Sequence, residues 1–255
     1  LLEGESDAVT MMSYGYDPYL SSWSPFHGAV YAVITSAAKI VASGGNFRNI
    51  RLTFQEFFRR LEDDKKRWGE PVAALLGAYE AQMKLGLPSI GGKDSMSGSF
   101  HDIDVPPTLV SFAVNVDSID NVITPELKED GNVLVAFTFG KDKYHLPSYN
   151  DLTKLYDQVF ELAKENKILS AYALGRYGLA EAVSKMAFGN KLGVSIEDVI
   201  TENQLFGPGY GYIVAEVEEE TLDLLKRKNI SFELVGRVIA EDKFTYKDLF
   251  LSLDK

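Results

Sequence analysis

The chain has no cysteine among its 255 residues. That excludes disulfides, thiolate metal sites and a cysteine nucleophile. Basic residues are a minority, 26 Lys and Arg against 37 Asp and Glu, for a formal net charge of −11. So acidic a chain is a poor ligand for nucleic acid or an anionic membrane surface, and any phosphate it meets must be held by local donors or by Mg²⁺. No uncharged apolar run reaches the roughly 18 residues of a membrane-spanning helix, and no basic stretch leads into an apolar one at the N-terminus. The expected compartment is the cytoplasm. The three histidines, His27, His101 and His145, are far apart and lack ligand spacing, so no zinc site is expected. What is present, 45% hydrophobic and 25% charged residues, suffices for one large or two modest folded domains.

Residues 1–22 are polar with little periodicity, apart from a short strand over Ala8–Tyr14. The chain starts at Leu1 rather than Met, which suggests a piece of something longer. Ser24-Pro25 has the form of a helix cap followed by proline at the first helical position. Val30, Val33, Ile34, Ala37 and Val41 then recur at helical spacing up to Gly44-Gly45. His27 is expected to be a surface or capping residue. Ile50–Phe54 alternates as a strand, with Gln55-Glu56 after it. The run Glu62–Arg67 cancels its own charge and is expected to be a solvated face. Pro71 is expected to open a helix ending at Gly86, burying Val72, Leu75, Leu76, Tyr79 and Met83 on one face. Thr108–Val116 is expected to be an unbroken apolar strand of the buried kind. The polar stretch Asp117–Asn132 marks a boundary between residues 1–122 and 123–255. Beyond it, strands at Val133–Phe139, Ile168–Leu174, Val194–Ile196, Tyr212–Val217 and Phe232–Ile239 alternate with helices at Leu152–Asn166, Leu179–Phe188 and Glu219–Asn229. The fold class is α/β with mixed sheets.

Chemistry concentrates in Ile90-Gly91-Gly92-Lys93-Asp94-Ser95-Met96-Ser97-Gly98-Ser99-Phe100. This is expected to be a loop leaving a buried strand, where glycines turn backbone N–H groups toward an anion. Lys93 supplies a mobile point charge suited to phosphate, Asp94 a carboxylate, and the serines hydroxyl groups. It is not a P-loop, which needs Ser or Thr where Asp94 follows Lys93.

GGKDSMSGSF, the following DIDVPPTLVSFAV and the upstream KRWGEPVAALLGAYEAQMKLGLPSI closely resemble the second half of the large form of phosphoribosylformylglycinamidine synthase, the amidotransferase of purine biosynthesis. The resemblance runs over essentially the whole chain. It implies an aminoimidazole ribonucleotide synthetase-like half, with a partial N-terminal barrel-forming domain (1–122) and a C-terminal α/β domain (123–255). On the resemblance, Lys93 and Asp94 are catalytic, Ser95 and Ser97 meet substrate, and Gly91, Gly92, Thr53, Gln55 and Glu56 face ATP. The family's glutaminase cysteine sits in a separate domain and has no counterpart here. Magnesium ligands are also missing. A Glu and an Asn four apart on the first long helix are replaced by Ile34 and Ala38. The acidic turn HDxSDGGL is replaced by Tyr172-Ala173-Leu174-Gly175-Arg176-Tyr177-Gly178-Leu179, and a third carboxylate by Pro208. Hard magnesium needs such oxygen ligands.

The implied activity is ATP-dependent conversion of formylglycinamide ribonucleotide and glutamine-derived ammonia into formylglycinamidine ribonucleotide, ADP and phosphate, with ATP and Mg²⁺ as cofactors of the full-length enzyme and none tightly held by this segment. The implied partners are those small molecules, the rest of the synthase chain and, for the segment alone, a second copy; no nucleic acid or membrane is expected. Two alternatives remain: a catalytically silent half that completes the pseudodimer, and another ATP-dependent synthetase of the superfamily, of carbamoyl-, selenium- or thiamine-phosphate type.

Overall fold

The computed structural model describes residues 6–253 and divides into two compact units, Leu1–Ile40 with Asn46–Asp117, and Val41–Gly45 with Ser118–Lys255. The mixed sheets expected from sequence are present in both.

The first unit opens with strand β1 (Ala8–Gly15), helix α1 (Pro18–Trp23) and helix α2 (Pro25–Ala42). Helix α1 lies where the sequence shows no periodicity. It forms because Asp17 caps it, its Oδ1 accepting from the N–H groups of Tyr19 (2.8 Å) and Leu20 (2.9 Å), with proline next. That signature has the same form as Ser24-Pro25, where the Ser24 hydroxyl accepts from the His27 N–H at 3.3 Å and pairs with His27 Nδ1 at 2.8 Å. Strand β2 (Arg51–Phe57) outlasts its expected end, so Gln55 and Glu56 lie inside it. Helix α3 (Lys65–Leu85), strand β3 (Ser89–Lys93), the hairpin of β4 (Ser99–Phe100) with β5 (Ile103–Asp104), and strand β6 (Thr108–Ser118) complete the unit. The sheet order is β1-β6-β2-β3, antiparallel between β6 and β2 and parallel between β2 and β3.

Helix α3 differs from expectation twice. It starts not at Pro71 but at Lys65, because Asp64 caps it by accepting from the Lys66 N–H at 2.8 Å; the chain runs through Pro71 and forgoes one i→i−4 bond there. Its faces are also exchanged. The buried residues are Pro71, Ala74, Gly77, Ala78, Ala81 and Leu85, whereas Val72, Leu75, Leu76, Tyr79 and Met83 are each at least half exposed. Close approach decides between the two apolar faces: a Cβ at Gly77 would lie 2.2 Å from the Phe26 carbonyl oxygen. Only the small-residue face can pack that tightly against α2.

The second unit contains β7 (Val133–Phe137), α4 (Tyr149–Lys164), β8 (Ser170–Ala173), α5 (Gly178–Asn190), β9 (Gly193–Ile196), α6 (Glu202–Phe206), β10 (Ile213–Val217), α7 (Thr221–Arg227), β11 (Glu233–Ile239), β12 (Lys243–Tyr246) and β13 (Leu249–Ser252). Seven strands form one sheet, β13-β12-β9-β11-β7-β10-β8. Its pairs are antiparallel except β12 with β9. Helix α5 closes the sheet, burying Leu179, Ala182, Val183 and Met186 among Leu134, Val194, Val214 and Val235. Helix α6 and the β12–β13 hairpin were not evident in the sequence; Thr201 and Gln204 form a capping box that starts α6. Among the described residues no helix is long and apolar enough to cross a membrane.

Candidate functional site

The GGKDSMS segment begins in a strand rather than a loop. Gly91, Gly92 and Lys93 belong to β3, an exposed edge strand whose register is Thr53↔Gly91, Phe54↔Gly92 and Gln55↔Lys93. Neither Gly91 nor Gly92 has a positive φ, so the anion-cradling turn expected of them is not formed. Gly92 is required for another reason, since a Cβ there would stand 2.8 Å from the Phe54 carbonyl oxygen. Two side chains of β2 bond to the β3 backbone: Thr53 Oγ1 donates to Gly91 O (3.0 Å) and Gln55 Nε2 to Lys93 O (3.4 Å).

Alternation along the strands sorts the expected site residues by face. Thr53 pairs with Phe112 and Gln55 with Val110, on the sheet face where Met12, Tyr14, Phe112 and Val116 are exposed, and Lys93 aligns with Gln55. Glu56 alternates to the core face beside Leu52 and Phe58 and is buried. It therefore does not stand with Thr53 and Gln55, contrary to the grouping expected from sequence. Burial, and second the charge of Asp94, push its carboxyl up to about 7.

That shift predicts a pH dependence of stability. A carboxyl whose folded pKa is raised favours the folded state while protonated, so its contribution is full below about 4.5 and is lost as pH rises to about 7. Glu56→Gln, neutral throughout, is expected to match the wild type near pH 4.5 and to exceed it at pH 8 by about 1–3 kcal/mol, allowing for solvent screening. Urea unfolding at both pH values checks this; an equal difference at the two would refute it.

From Asp94 onward the segment is pinned by backbone bonds to the end of β2 and the residue that follows it. The Ser95 N–H donates to Glu56 O (3.1 Å), Phe58 N–H to Ser95 O (2.9 Å), and Gly98 N–H to Phe58 O (2.9 Å). The Ser95 and Ser97 hydroxyl oxygens stand 2.8 Å apart, a pair able to hold one polar substrate group. The flanking hairpin is braced by Asp104, which accepts from Ser99 Oγ (2.6 Å) and pairs with Arg59, itself forked onto Glu70 of α3. These contacts hold the Asp104 carboxyl below its usual range, the Ser99 bond most of all. Sequence reasoning missed this brace because only the folded hairpin brings its members together.

The positions where the resemblance implies magnesium ligands also have definite places. Ile34 and Ala38 are fully buried on α2. In the second unit, Leu174, Leu179 and Pro208 line one open cavity of about 440 Å³ together with Thr138, Gln204 and Glu233. Glu233 already accepts from Gln204 Nε2 at 3.1 Å. Among the described residues no group of three potential ligands could hold a metal ion, and Ile34, Ala38 and Pro208, at the implied positions, carry no side-chain oxygen to ligate Mg²⁺.

A four-stranded sheet with an open face, followed by a seven-stranded mixed sheet covered by helices, defines an AIR synthase-like fold. Residues 122–248 match the family AIR synthase related protein, C-terminal domain. The chain superposes on Thermotoga maritima PurL complexed with FGAR with a TM-score of 0.78 and 16% identity, over 98% of this chain and 47% of that one. It also superposes on thiamine-monophosphate kinase from Stenotrophomonas maltophilia, with a TM-score of 0.65 and 11% identity, over 96% of this chain and 87% of that one. More narrowly, the chain is similar to phosphoribosylformylglycinamidine synthase subunit PurL. It is 25% identical to that of Sulfurovum sp. strain NBC37-1 over 98% of this chain and 36% of that protein, and 26% identical to that of Methanocaldococcus jannaschii over 94% and 37%. The chain thus spans about a third of the length of the curated relatives it matches.

Proposed function

We propose that the chain is the second synthetase half of a phosphoribosylformylglycinamidine synthase, with residues 1–122 as its barrel-forming domain and 123–255 as its C-terminal domain. The whole enzyme converts formylglycinamide ribonucleotide, ATP and ammonia from glutamine into formylglycinamidine ribonucleotide, ADP and phosphate. The observation that carries this reading is Lys93 at the end of β3, aligned with Gln55 on an open sheet face, with the Ser95–Ser97 hydroxyl pair pinned beside it. PurL proteins of the same fold bind ATP and FGAR.

In this reading Lys93 stabilises charge on the transferring phosphoryl group, which is where a positioned cation is most effective. Asp94 assists there, Ser95 and Ser97 hold the ribonucleotide, and Gly91, Gly92, Thr53 and Gln55 border ATP; Glu56 acts from the core side through Asp94. Mg²⁺ is supplied by residues outside this chain. The open face carrying Met12, Tyr14, Phe112 and Val116 takes the corresponding sheet of the other half, or of a second copy when the segment stands alone. Burial of Ile34 and Ala38, with no carboxylate in the turn Tyr172–Leu179, favours one narrower reading, in which the cleft this half builds from its own ligand positions is silent and it serves the other.

The test is turnover with ammonia, ATP and formylglycinamide ribonucleotide. The 255-residue chain alone is expected to give no product, and the full-length polypeptide to give product at an enzymatic rate. Full-length-like turnover by the isolated chain would overturn the assignment to half of a paired enzyme.

A further inference from the structure

Helix α3 is apolar on two sides. Its small-residue side packs inward, while Trp68, Val72, Leu75, Leu76, Tyr79 and Met83 form an outward stripe, every member half exposed or more. A helix apolar on both sides is ordinarily covered on both. The stripe contains no charged residue between its ends: Glu70 is held by Arg59, and Glu80 lies off to one flank.

The stripe is also symmetric in sequence. About the midpoint between Leu75 and Leu76, Trp68 mirrors Met83 and Val72 mirrors Tyr79. A two-fold axis through that point, with helices antiparallel, sets the largest side chain against flexible Met, Tyr against Val, and Leu against Leu. A surface whose every member finds its mate in an identical copy is what an isologous contact requires. Six side chains of this size, half exposed or more, present roughly 600 Å² per copy. Two copies would then bury about 1,200 Å², the lower edge of the range for specific interfaces.

We infer that the outward face of α3 docks a second copy of this chain, α3 against α3 about a two-fold axis at Leu75–Leu76. The contact is separate from the open sheet face and does not depend on the function proposed above. Its expected dissociation constant is in the micromolar range, about −8 kcal/mol.

The experiment uses the chain carrying Met12→Glu, an exposed substitution that blocks pairing through the sheet face. This variant is expected to sediment as a dimer at several hundred micromolar and to become monomeric on addition of Leu75→Glu, with an unchanged circular dichroism spectrum. The absence of native cysteine allows single spin labels. The intermolecular distance is expected to be short at Ala73→Cys and longer by roughly 20 Å along the axis at Lys84→Cys, because an antiparallel pair diverges by about 3 Å per residue from its axis. A monomer in the Met12→Glu background would overturn the inference and leave α3 to a different polypeptide. A dimer that survives Leu75→Glu, or equal label distances at the two positions, would also overturn it.

Discussion

Lys93→Ala in the full-length polypeptide is expected to lower the turnover number by roughly 10²–10³, the usual cost of removing one group that stabilises charge on a reacting centre. The structure separates this effect from any structural one. Lys93 is exposed at the end of an edge strand, and of its neighbours Gln55 bonds only to its backbone carbonyl. The bond from Gln55 survives truncation of the side chain, so the variant should unfold within about 0.5 kcal/mol of the wild type. Lys93→Arg is expected to recover little activity, because a planar fork does not replace a compact ammonium at a tetrahedral group. Steady-state kinetics with ammonia as nitrogen donor, alongside a urea melt, provide the check. Wild-type turnover in a stably folded Lys93→Ala enzyme would remove β3 from the reaction and leave the chain as a structural half.

The parts of the fold that were legible in sequence are those governed by local rules. The strand at Thr108–Val116 and the cap at Ser24-Pro25 each follow from residues within one turn or one pleat, and both are present; the strand was expected to be buried on both faces, but buried and exposed residues alternate along it, with Phe112 and Val116 on the open face. Helix α3 was misread because periodicity finds a stripe without saying which way it faces. Gly77 against the Phe26 carbonyl settles the direction, and that contact spans fifty residues of chain. The candidate site shows the same division. The residue types Lys93, Ser95 and Ser97 announce phosphate and hydroxyl chemistry, but their disposition depends on where β2 ends. Ending that strand at Phe54 leaves Gln55 and Glu56 together, whereas extending it to Phe57 puts them on opposite faces. The brace of Asp104 on Ser99 and Arg59 has no local signature at all, because it exists only once β4 and β5 have closed their hairpin.

Glu216→Ala is expected to be the most destabilising single change in the second unit, costing about 3–5 kcal/mol. Glu216 lies in β10, Ile213–Val217, all five residues of which are buried, and it is fully buried itself. Its carboxylate accepts four hydrogen bonds, from the backbone N–H groups of Lys128 (2.8 Å) and Glu129 (3.0 Å), from Asn132 Nδ2 (2.7 Å) and from Ser170 Oγ (2.8 Å). The acid therefore ties the segment entering β7 to the strand pair β10–β8, and the charge is balanced by donors rather than by a cation. Removing it strands four donors, two of them main-chain groups with no side chain to rotate toward water, and each unmet donor costs about 1 kcal/mol or more. Glu216→Gln keeps the shape but turns an amide N–H₂ toward donors that need an acceptor, so it should fall between Ala and wild type. Chemical unfolding of the chain followed by tryptophan-independent circular dichroism gives the difference. Amide exchange should in addition rise at Lys128 and Glu129 in both variants while the α5 core stays protected. A cost below about 1 kcal/mol for Glu216→Ala, with unchanged exchange at those two amides, would mean that water replaces the carboxylate and that the clamp does not hold the segment.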